Sequence, residues 1–461
     1  MIPLFLVFLL LPALSTANQF TCPTDTITTN GVFPVGATSM ETFPNRYVCT
    51  LNFKIPDGMV VKVTVQSSFK SDQTMAVLSD STLMRYNFTT GTQTIYVPAP
   101  TAHLKIQVLF DTAQFFVKYE MVAMTNFKQV KLRTGDAIPL SLDPQSYYTF
   151  YSTPTPYQPK VVLNTAGATP MDLNLIYVFD GEGITSKYRG PLSIVADGVI
   201  KSSTGQNFTI VDFHNRQSKG WIIANDNNKI IFYTNYRLQL LSSASRTTSS
   251  LVDYSNHFTV TTFICTDCQE TYLSQLQFGS RQAQIQNITI FPQSPTASLP
   301  SVLSYTDSDN MYQLLPQHIP AKMFTVMVVR ASVVMSFESS DDVKSKYLTV
   351  APGRSVTVSS RSVWGDGMNP GMDLSFASSS PVQFTYTLDS LKITSRSENL
   401  NLAIGTDSSK MFTDNYNCGS DVSCSFANIG PKIGRGTYFN ATYLGQSSAS
   451  STLFHFQVSQ A

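Results

Sequence analysis

Apolar and polar residues alternate over short runs along most of this 461-residue chain. The clearest runs are residues 105–109, 173–179, 208–212, 221–224, 258–264, 324–329 and 355–358. A period of two residues is typical of half-buried β-strands, whereas an amphipathic helix needs a period of 3.6 residues. Because helical periods are scarce, the pattern predicts an all-β fold.

Glycine and proline stand between the predicted strands. Examples are Pro56-Asp57-Gly58, Asp180-Gly181 and Ala351-Pro352-Gly353. These residue types allow the chain to reverse direction, so they mark turns. The Ser/Thr-rich residues 242–250 have no apolar period and predict a linker.

The first hundred or so residues carry a recognisable combination of features. Cys22 and Cys49 precede a Pro/Gly turn at residues 56–58 and the alternating Val61, Val63 and Val65. Residues 108–119 then read as a strand, a polar turn and an aromatic strand. Together these features resemble the CUB-like domain of secreted nematode proteins, a reduced form of the CUB domain. The resemblance implies an extracellular β-sandwich with a binding or defence role.

A second segment looks like a degenerate copy of the first. Residues 173–181 resemble the central CUB strand that ends in Asp-Gly, and residues 210–221 resemble its closing strand and turn. The resemblance therefore implies tandem CUB-like, or jelly-roll, β-sandwich domains. We expect a signal peptide at 1–17, a CUB-like domain at 18–125, a cysteine-free CUB-like sandwich at 137–245, a β-rich domain at 251–345 and a β-rich C-terminal domain at 346–461.

The chain begins with an apolar run followed by Ser15-Thr16-Ala17. A short apolar run before small residues is typical of a secretory signal peptide, here cleaved after Ala17. The most apolar later segment, residues 324–337, is interrupted by Arg330 and is too short to span a bilayer. The sequence thus predicts a secreted, extracellular protein without a transmembrane segment.

Charge gives little attraction for polyanions. The chain has 31 basic and 30 acidic residues, a net charge of +1, so no nucleic-acid partner is expected. Only 13% of the residues are charged. Ser, Thr, Asn and Gln must therefore cover much of the surface, with glycans expected at four Asn-x-Thr sequons. The sequons begin at Asn87, Asn207, Asn287 and Asn440.

In an oxidising compartment the six cysteines predict disulfides. The family resemblance supports a bond between Cys22 and Cys49. The remaining four cysteines allow three pairings, of which the local ones are the simplest. These are Cys265 with Cys268 and Cys418 with Cys424. A thioredoxin-like redox pair at Cys265-x-x-Cys268 and a zinc site made by all four are the alternatives, but βαβ alternation and zinc-knuckle spacing are missing.

No local motif indicates catalysis or a bound cofactor. The five histidines are scattered singly, and no acidic or nucleophilic partner is evident near any of them. The nucleophile elbow, the zinc-protease helix and the phosphate-binding loop are missing from the sequence. We therefore predict no catalytic residues and no enzyme, with a hydrolase whose site is assembled from distant residues as the remaining enzymatic alternative.

The resemblance makes calcium the metal to consider, because many CUB domains bind calcium through a Glu and two Asp. Asp111 falls where one Asp is expected, and Asp72 and Asp80 lie near the second, but no Glu completes the set. A further acidic turn contains Asp366 and Asp373, with Asn369 between them, and lacks the Glu of an EF-hand. We predict no metal site.

Several tyrosines cluster beside prolines 154, 156 and 159. They are Tyr147, Tyr148, Tyr151 and Tyr157. Aromatic side chains with a polar tip suit recognition, so this cluster is a candidate binding surface; packing between the first two domains is the alternative. The sequence predicts a secreted binding protein of innate defence at an epithelial or intestinal surface, with a protein, glycan or microbial surface as partner. A structural matrix protein is the alternative.

Overall fold

In the computed structural model, regular backbone structure is predominantly β-strand, which confirms the all-β prediction. The structure describes residues 20–69, 74–109, 112–154, 159–196, 201–253, 258–279, 285–365, 371–406 and 409–461. The predicted signal peptide lies outside these ranges. Among the described residues, no helix is both long enough and apolar enough to span a bilayer.

Within the residues that the structure describes, sixteen strands form the first half of the fold. They are β1 (Gly31–Phe33), β2 (Glu41–Phe43), β3 (Tyr47–Lys54), β4 (Met59–Ser68), β5 (Thr74–Asp80), β6 (Arg85–Phe88), β7 (Gly91–Pro98), β8 (Thr101–Val108), β9 (Ala113–Ala123), β10 (Lys128–Arg133), β11 (Ala137–Pro139), β12 (Ser146–Tyr151), β13 (Val161–Ala166), β14 (Ile176–Asp180), β15 (Lys187–Pro191) and β16 (Asn207–Asp212).

The described residues of the second half contain sixteen more. They are β17 (Trp221–Asp226), β18 (Tyr233–Leu241), β19 (Thr247–Val252), β20 (Phe258–Cys265), β21 (Thr271–Phe278), β22 (Asn287–Pro292), β23 (Leu303–Thr306), β24 (Gln317–Ile319), β25 (Met323–Val329), β26 (Ser332–Glu338), β27 (Ser355–Ser359), β28 (Met372–Ile393), β29 (Asn399–Thr406), β30 (Ser409–Tyr416), β31 (Cys424–Leu444) and β32 (Ser451–Gln460).

Helices are short. They are α1 (Pro170–Asn174), α2 (Leu192–Val195), α3 (Asn227–Ile230), α4 (Met311–Leu314), α5 (Asp341–Leu348) and two 3₁₀ turns, Pro295–Ala297 and Arg361–Trp364.

The described chain forms two compact units that are interleaved along the sequence. The first contains residues up to 132, 141–151 and 169–218; the second contains 133–140, 152–168 and everything from 219 onward. Strands β11 and β13 of the second unit are therefore synthesised before β14 to β16 of the first. Neither unit is a single continuous stretch of sequence.

The first unit begins with a β-sandwich. One sheet has the order β3-β8-β5-β6, and the other has the order β1-β9-β4-β7 with β2 also paired to β9. Alternation along β4 sends Val61, Val63 and Val65 into the shared core, where each is 1% exposed or less. The disulfide between Cys22 and Cys49 ties the segment before β1 to β3.

A further sheet of the first unit has the order β10-β12-β16-β14-β15. Tyr177 of this sheet and Phe213, which follows β16, pack with Val60 of β4 in one apolar cluster. The ring centroids of Tyr177 and Phe213 are 5.2 Å apart. Apolar contact therefore continues from the first sandwich into this sheet.

The strand predicted at residues 173–179 begins later than expected, at Ile176. The residues before it form α1, which Pro170 opens at its first turn. The Thr169 hydroxyl accepts from the backbone N–H of Asp172, while the Asp172 carboxylate accepts from the Thr169 backbone N–H at 3.1 Å. This reciprocal capping favours a helical turn over extension of the strand.

The second unit contains a three-stranded sheet, β11-β17-β13, and a sandwich. The sandwich joins the sheets β18-β20-β25-β22-β23 and β19-β26-β21-β24 around the apolar cluster that contains Phe263, Phe324 and Phe337. Strands β18 and β20 pair in parallel. Along the chain, β19 follows β18 and precedes β20. The linker predicted at residues 242–250 is therefore wrong from Thr247 onward, where β19 begins. There, Ser249 and Leu251 alternate inward, and the Ser249 hydroxyl donates to Gln239 at 2.8 Å.

The chain ends in a six-stranded sheet of order β27-β32-β28-β31-β29-β30. Its two long strands, β28 and β31, pair with register shifts, and its apolar residues close around Phe439 and Phe456. The fully buried Glu398 precedes β29 and accepts hydrogen bonds from the loop before that strand and from the loop after β31. A disulfide joins Cys418 to Cys424, the first residue of β31.

Candidate functional site

A cavity of about 600 Å³ lies in the first unit. Three turns of the first sandwich form one side: Asp57-Gly58, Ser81-Thr82 and Ala99-Pro100. Strand β15, the turn before it and α2 form the other side. A volume of this size is in the range of small-molecule sites, about 300–1,000 Å³.

The Ser81-Thr82 turn is held in place by the buried carboxylate of Asp80. Its Oδ1 accepts from the Thr82 backbone N–H at 2.8 Å, from the Thr82 hydroxyl at 2.7 Å and from the Met84 backbone N–H at 3.0 Å. Its Oδ2 accepts from the Tyr188 hydroxyl at 2.8 Å. One carboxylate therefore fixes both the turn of the first sandwich and β15, with Thr82 and Tyr188 as lining residues.

Gly190 allows β15 to approach this turn closely. It has φ +111°, in the region that favours glycine. A Cβ atom at this position would lie 3.3 Å from the Thr82 hydroxyl oxygen. Any larger residue at position 190 would strain the backbone and press on the Thr82 side chain.

Three cations line the cavity. Arg189 Nε lies 3.6 Å from Oδ2 of Asp180, a carboxylate that is 1% exposed. Lys201 Nζ donates to the Ile194 carbonyl at 2.5 Å. Lys187 is exposed, and within the described part of the chain it forms no ion pair. Among the lining residues the three cations accompany one carboxylate, Asp57, while Asp180 and Asp80 lie behind the lining and hold Arg189, Thr82 and Tyr188.

None of these cations was among the predicted site residues. Lys187 and Arg189 flank Tyr188 in β15, and this alternation was the available sequence signal. Thr82 and Lys201 are far from them in sequence and carry no local motif. The cavity depends on contacts between distant segments, which a single sequence does not reveal.

Residues 17–125 match the CUB-like domain family. This match covers the first sandwich and confirms the CUB-like part of the resemblance drawn from the sequence; membership of a secreted nematode family stays a prediction. The three cavity turns on that side therefore belong to the CUB-like domain. No curated protein sequence matches the chain.

Matches among solved structures include two sets of CUB domains and one extracellular region. The CUB1-EGF-CUB2 domain of human MASP-1/3 is 12% identical, with a TM-score of 0.18, and the match covers 43% of this chain and 98% of that one. The rat MASP-1 CUB1-EGF-CUB2 domains are 9% identical, with a TM-score of 0.16 and coverage of 68% and 100%. The extracellular region of zebrafish Gpr126/Adgrg6 is 8% identical, with a TM-score of 0.20 and coverage of 96% and 53%.

In the CUB-like domain, Asp80 is committed to structural hydrogen bonds through both carboxylate oxygens. Asp72 and Asp111, the other acidic residues considered for calcium, lie outside the described residues, as do Asp366 and Asn369. Asp373 accepts from the Thr442 hydroxyl at 3.2 Å.

The disulfides join the three pairs of cysteines that the sequence predicts: Cys22–Cys49, Cys265–Cys268 and Cys418–Cys424. Cys265 and Cys268 also lie within ligand distance of Asp267, a grouping that could suit a metal. Their sulfurs are bonded to each other, and only thiolates serve as strong cysteine ligands. The pair is therefore a structural disulfide that closes the turn at the end of β20.

The predicted tyrosine surface is divided by strand alternation. Tyr148 is 9% exposed and donates to Asp143 at 2.9 Å, and burial raises its pKa. Tyr147 and Tyr151 lie on the other face of β12. Tyr147 contacts the apolar cluster of Tyr177, whereas Tyr151 donates to Glu182 at 2.5 Å. Tyr157 lies outside the described residues; of the other three tyrosines, Tyr147 and Tyr151 share one face of β12 and Tyr148 lies on the opposite face.

Of the sequons, Asn87 is exposed on β6, while the other three asparagines are half-buried. The half-buried ones are Asn207, Asn287 and Asn440. Glycosylation of all four stays a prediction.

The expectation that the histidines lack acidic partners is wrong for two of them. His318 Nε2 lies 3.2 Å from Glu270 Oε2, and His455 Nδ1 lies 3.0 Å from the Asp389 carboxylate. The contact with His318 lowers the pKa of Glu270 to about 2, against the opposing effect of burial. Each pair joins residues far apart in sequence. Within the described part of the chain, neither histidine is hydrogen-bonded to a Ser, Thr or Cys side chain.

Proposed function

We propose that the protein is secreted and acts by binding, with the cavity beside the CUB-like domain as its recognition site. The observation that carries this proposal is the cavity itself, in which a fixed turn, a strand and three cations surround a space of small-molecule size. Loops held on a rigid β-scaffold are common sites of recognition. The three disulfides support an oxidising, extracellular location.

The role we propose is innate defence at an epithelial or intestinal surface, through a glycan or protein of a microbial or host surface. The family resemblance of the first domain suggests this setting. A purely structural matrix protein has no need of a cation-lined cavity. A hydrolase needs a nucleophile within hydrogen-bond reach of a base, and the two His–carboxylate pairs have no such partner among the described residues.

Binding can be tested with the full secreted protein on intact bacteria, fungal cell wall and host mucus. We expect retention on at least one surface, and weaker retention of the double variant Lys187→Gln/Arg189→Lys. The matched control is Lys105→Gln/Arg85→Lys, because both residues are exposed in the same unit and lie outside the cavity lining. If the two double variants are retained equally, the cavity is not the recognition site.

Secretion and glycosylation can be tested together. The protein should be recovered from the medium, and glycosidase treatment should increase its mobility on a gel, because the exposed Asn87 offers an acceptor. Unchanged mobility, or recovery from cytosol alone, contradicts this location.

A further inference from the structure

We propose that the cavity binds an acidic saccharide, that is, a sugar that carries a carboxylate or a sulfate. This inference rests on the proposed function and names its ligand class. Two properties of the lining lead to it: a surplus of cations, and hydroxyl groups whose protons are already committed elsewhere.

The cations select a ligand with negative charge. Arg189, Lys187 and Lys201 outnumber the carboxylate of Asp57. The ion pair with buried Asp180 positions the Arg189 guanidinium through Nε. A guanidinium has five N–H donors in a planar fork that matches a carboxylate or sulfate group. An acid group on the ligand would also give Lys187, which forms no ion pair within the described residues, a charged acceptor.

The committed hydroxyls select a ligand that also donates hydrogen bonds. The Thr82 hydroxyl donates to Asp80 Oδ1 and the Tyr188 hydroxyl donates to Asp80 Oδ2. Because each hydroxyl has one proton, neither can donate to a ligand; the Tyr188 hydroxyl is buried, and the half-buried Thr82 oxygen can offer a ligand only lone pairs. Fully ionised sulfate has no proton to give the Thr82 oxygen. A saccharide meets both requirements, since its acid group accepts from the cations and a hydroxyl can donate to the Thr82 oxygen.

The remaining lining suits a sugar ring. Ser81, Thr185 and Ser186 add hydroxyls, while Phe179, Ile184 and Ile194 provide apolar surface for ring C–H groups. The space of about 600 Å³ is larger than one sugar ring needs. The cavity can therefore admit either an acidic monosaccharide or a short acidic oligosaccharide.

The test is calorimetric titration of the full secreted protein with glucuronic acid, glucose 6-sulfate, glucose and sodium sulfate. We expect one or both of the sugar acids to bind at least about tenfold more tightly than glucose or sulfate, and binding to weaken as salt is raised. The first two probes distinguish carboxylate from sulfate as the acid group. Equal affinity for sugar acid and sodium sulfate, or tighter binding of glucose, overturns the inference.

Variants identify the site. Lys187→Gln and Arg189→Lys should each weaken binding of the sugar acid by about fivefold or more, while Lys105→Gln leaves it unchanged. Thr82→Val should weaken it and Thr82→Ser should restore it, with thermal melting used to confirm that each variant is folded. Wild-type affinity in folded Lys187→Gln and Arg189→Lys overturns the inference.

The two proposals fail differently. If the cavity variants release the protein from its natural surface but no sugar acid binds, the recognition site stands and the ligand class is wrong. If retention on the surface is the same for the cavity and control variants, the recognition site itself is wrong.

Discussion

Replacing Glu398 with Gln should selectively loosen two loops of the C-terminal sheet. The Glu398 side chain is fully buried, so its carboxylate depends on protein donors. Its Oε1 accepts from the backbone N–H groups of Gln446 at 2.7 Å and Ser447 at 3.0 Å. Its Oε2 accepts from the backbone N–H groups of Thr394 at 2.7 Å and Ser395 at 3.2 Å, and from the Ser450 hydroxyl at 2.6 Å.

The size of the effect follows from these bonds. Gln has one acceptor oxygen and one NH₂ donor, so in either orientation two backbone N–H groups face a donor. Each buried N–H group without an acceptor costs about 1–3 kcal/mol, which gives a loss of about 2–6 kcal/mol. At about 1.4 kcal/mol per factor of ten, amide-exchange protection should fall by roughly 30-fold or more.

Hydrogen exchange measured by mass spectrometry on the full protein resolves the affected loops. Peptides covering residues 394–398 and 445–451 should exchange faster in Glu398→Gln, whereas a peptide covering β20 should not change. Glu41→Gln, in β2 of the other unit, is the matched control. Unchanged protection of the two loops in the variant would refute this account of Glu398.

Acidity should act on the same bonds. Burial opposes ionisation of Glu398, but the Ser450 hydroxyl and the backbone N–H groups outweigh it and lower its pKa. A lowered pKa in the folded state means that the stabilisation is present above the unfolded pKa, about 4.3, and is lost as the pH falls through the folded value. The difference between wild type and Glu398→Gln should therefore shrink in acid.

Three further outcomes are expected. Replacing Cys22 and Cys49 together with Ser should lower the unfolding free energy of the first sandwich by about 3–4 kcal/mol in urea titrations; no loss would contradict a stabilising bond. Burial lowers the pKa of His214 to about 4, so its ring resonances should stay constant from pH 8 to pH 5.5 in NMR spectra, and stability should fall from about pH 6.5 towards pH 4. Tyr148→Ala should cost about 3–5 kcal/mol in thermal or urea unfolding, but Tyr151→Ala only about 1; the reverse order would place Tyr151 in the core.

Local pattern was sufficient for most strands. The alternating runs at 208–212 and 258–264 lie within β16 and β20. Both strands are rich in Val, Ile, Thr and Phe because their side chains are buried on one face or both, and this composition made the strands predictable. The helix α5 was missed although Ser340 caps it and Asp341 and Asp342 occupy its first turn, which is a readable start signal.

The cavity could not be predicted in this way. Thr82 reaches it because the Asp80 carboxylate holds its turn, and Arg189 because Asp180 pairs with its guanidinium. Neither the residues around Thr82 nor those around Arg189 form a sequence motif that indicates a binding site. Their meeting depends on how β15 approaches the first sandwich, which is decided by long-range packing and by the lack of a side chain at Gly190. The His455–Asp389 pair was missed for the same reason.

The interleaving of the two units has a consequence for biosynthesis. Strand β12 leaves the ribosome well before its partner β16, and at about 5–20 residues per second the delay lasts several seconds. During that interval the aromatic segment Ser146–Tyr151 has an unsatisfied edge, and such edges recruit strands from other chains. Nascent chains should therefore be most vulnerable to misassembly at this point, and a chaperone that shields extended aromatic segments should raise the yield of secreted protein.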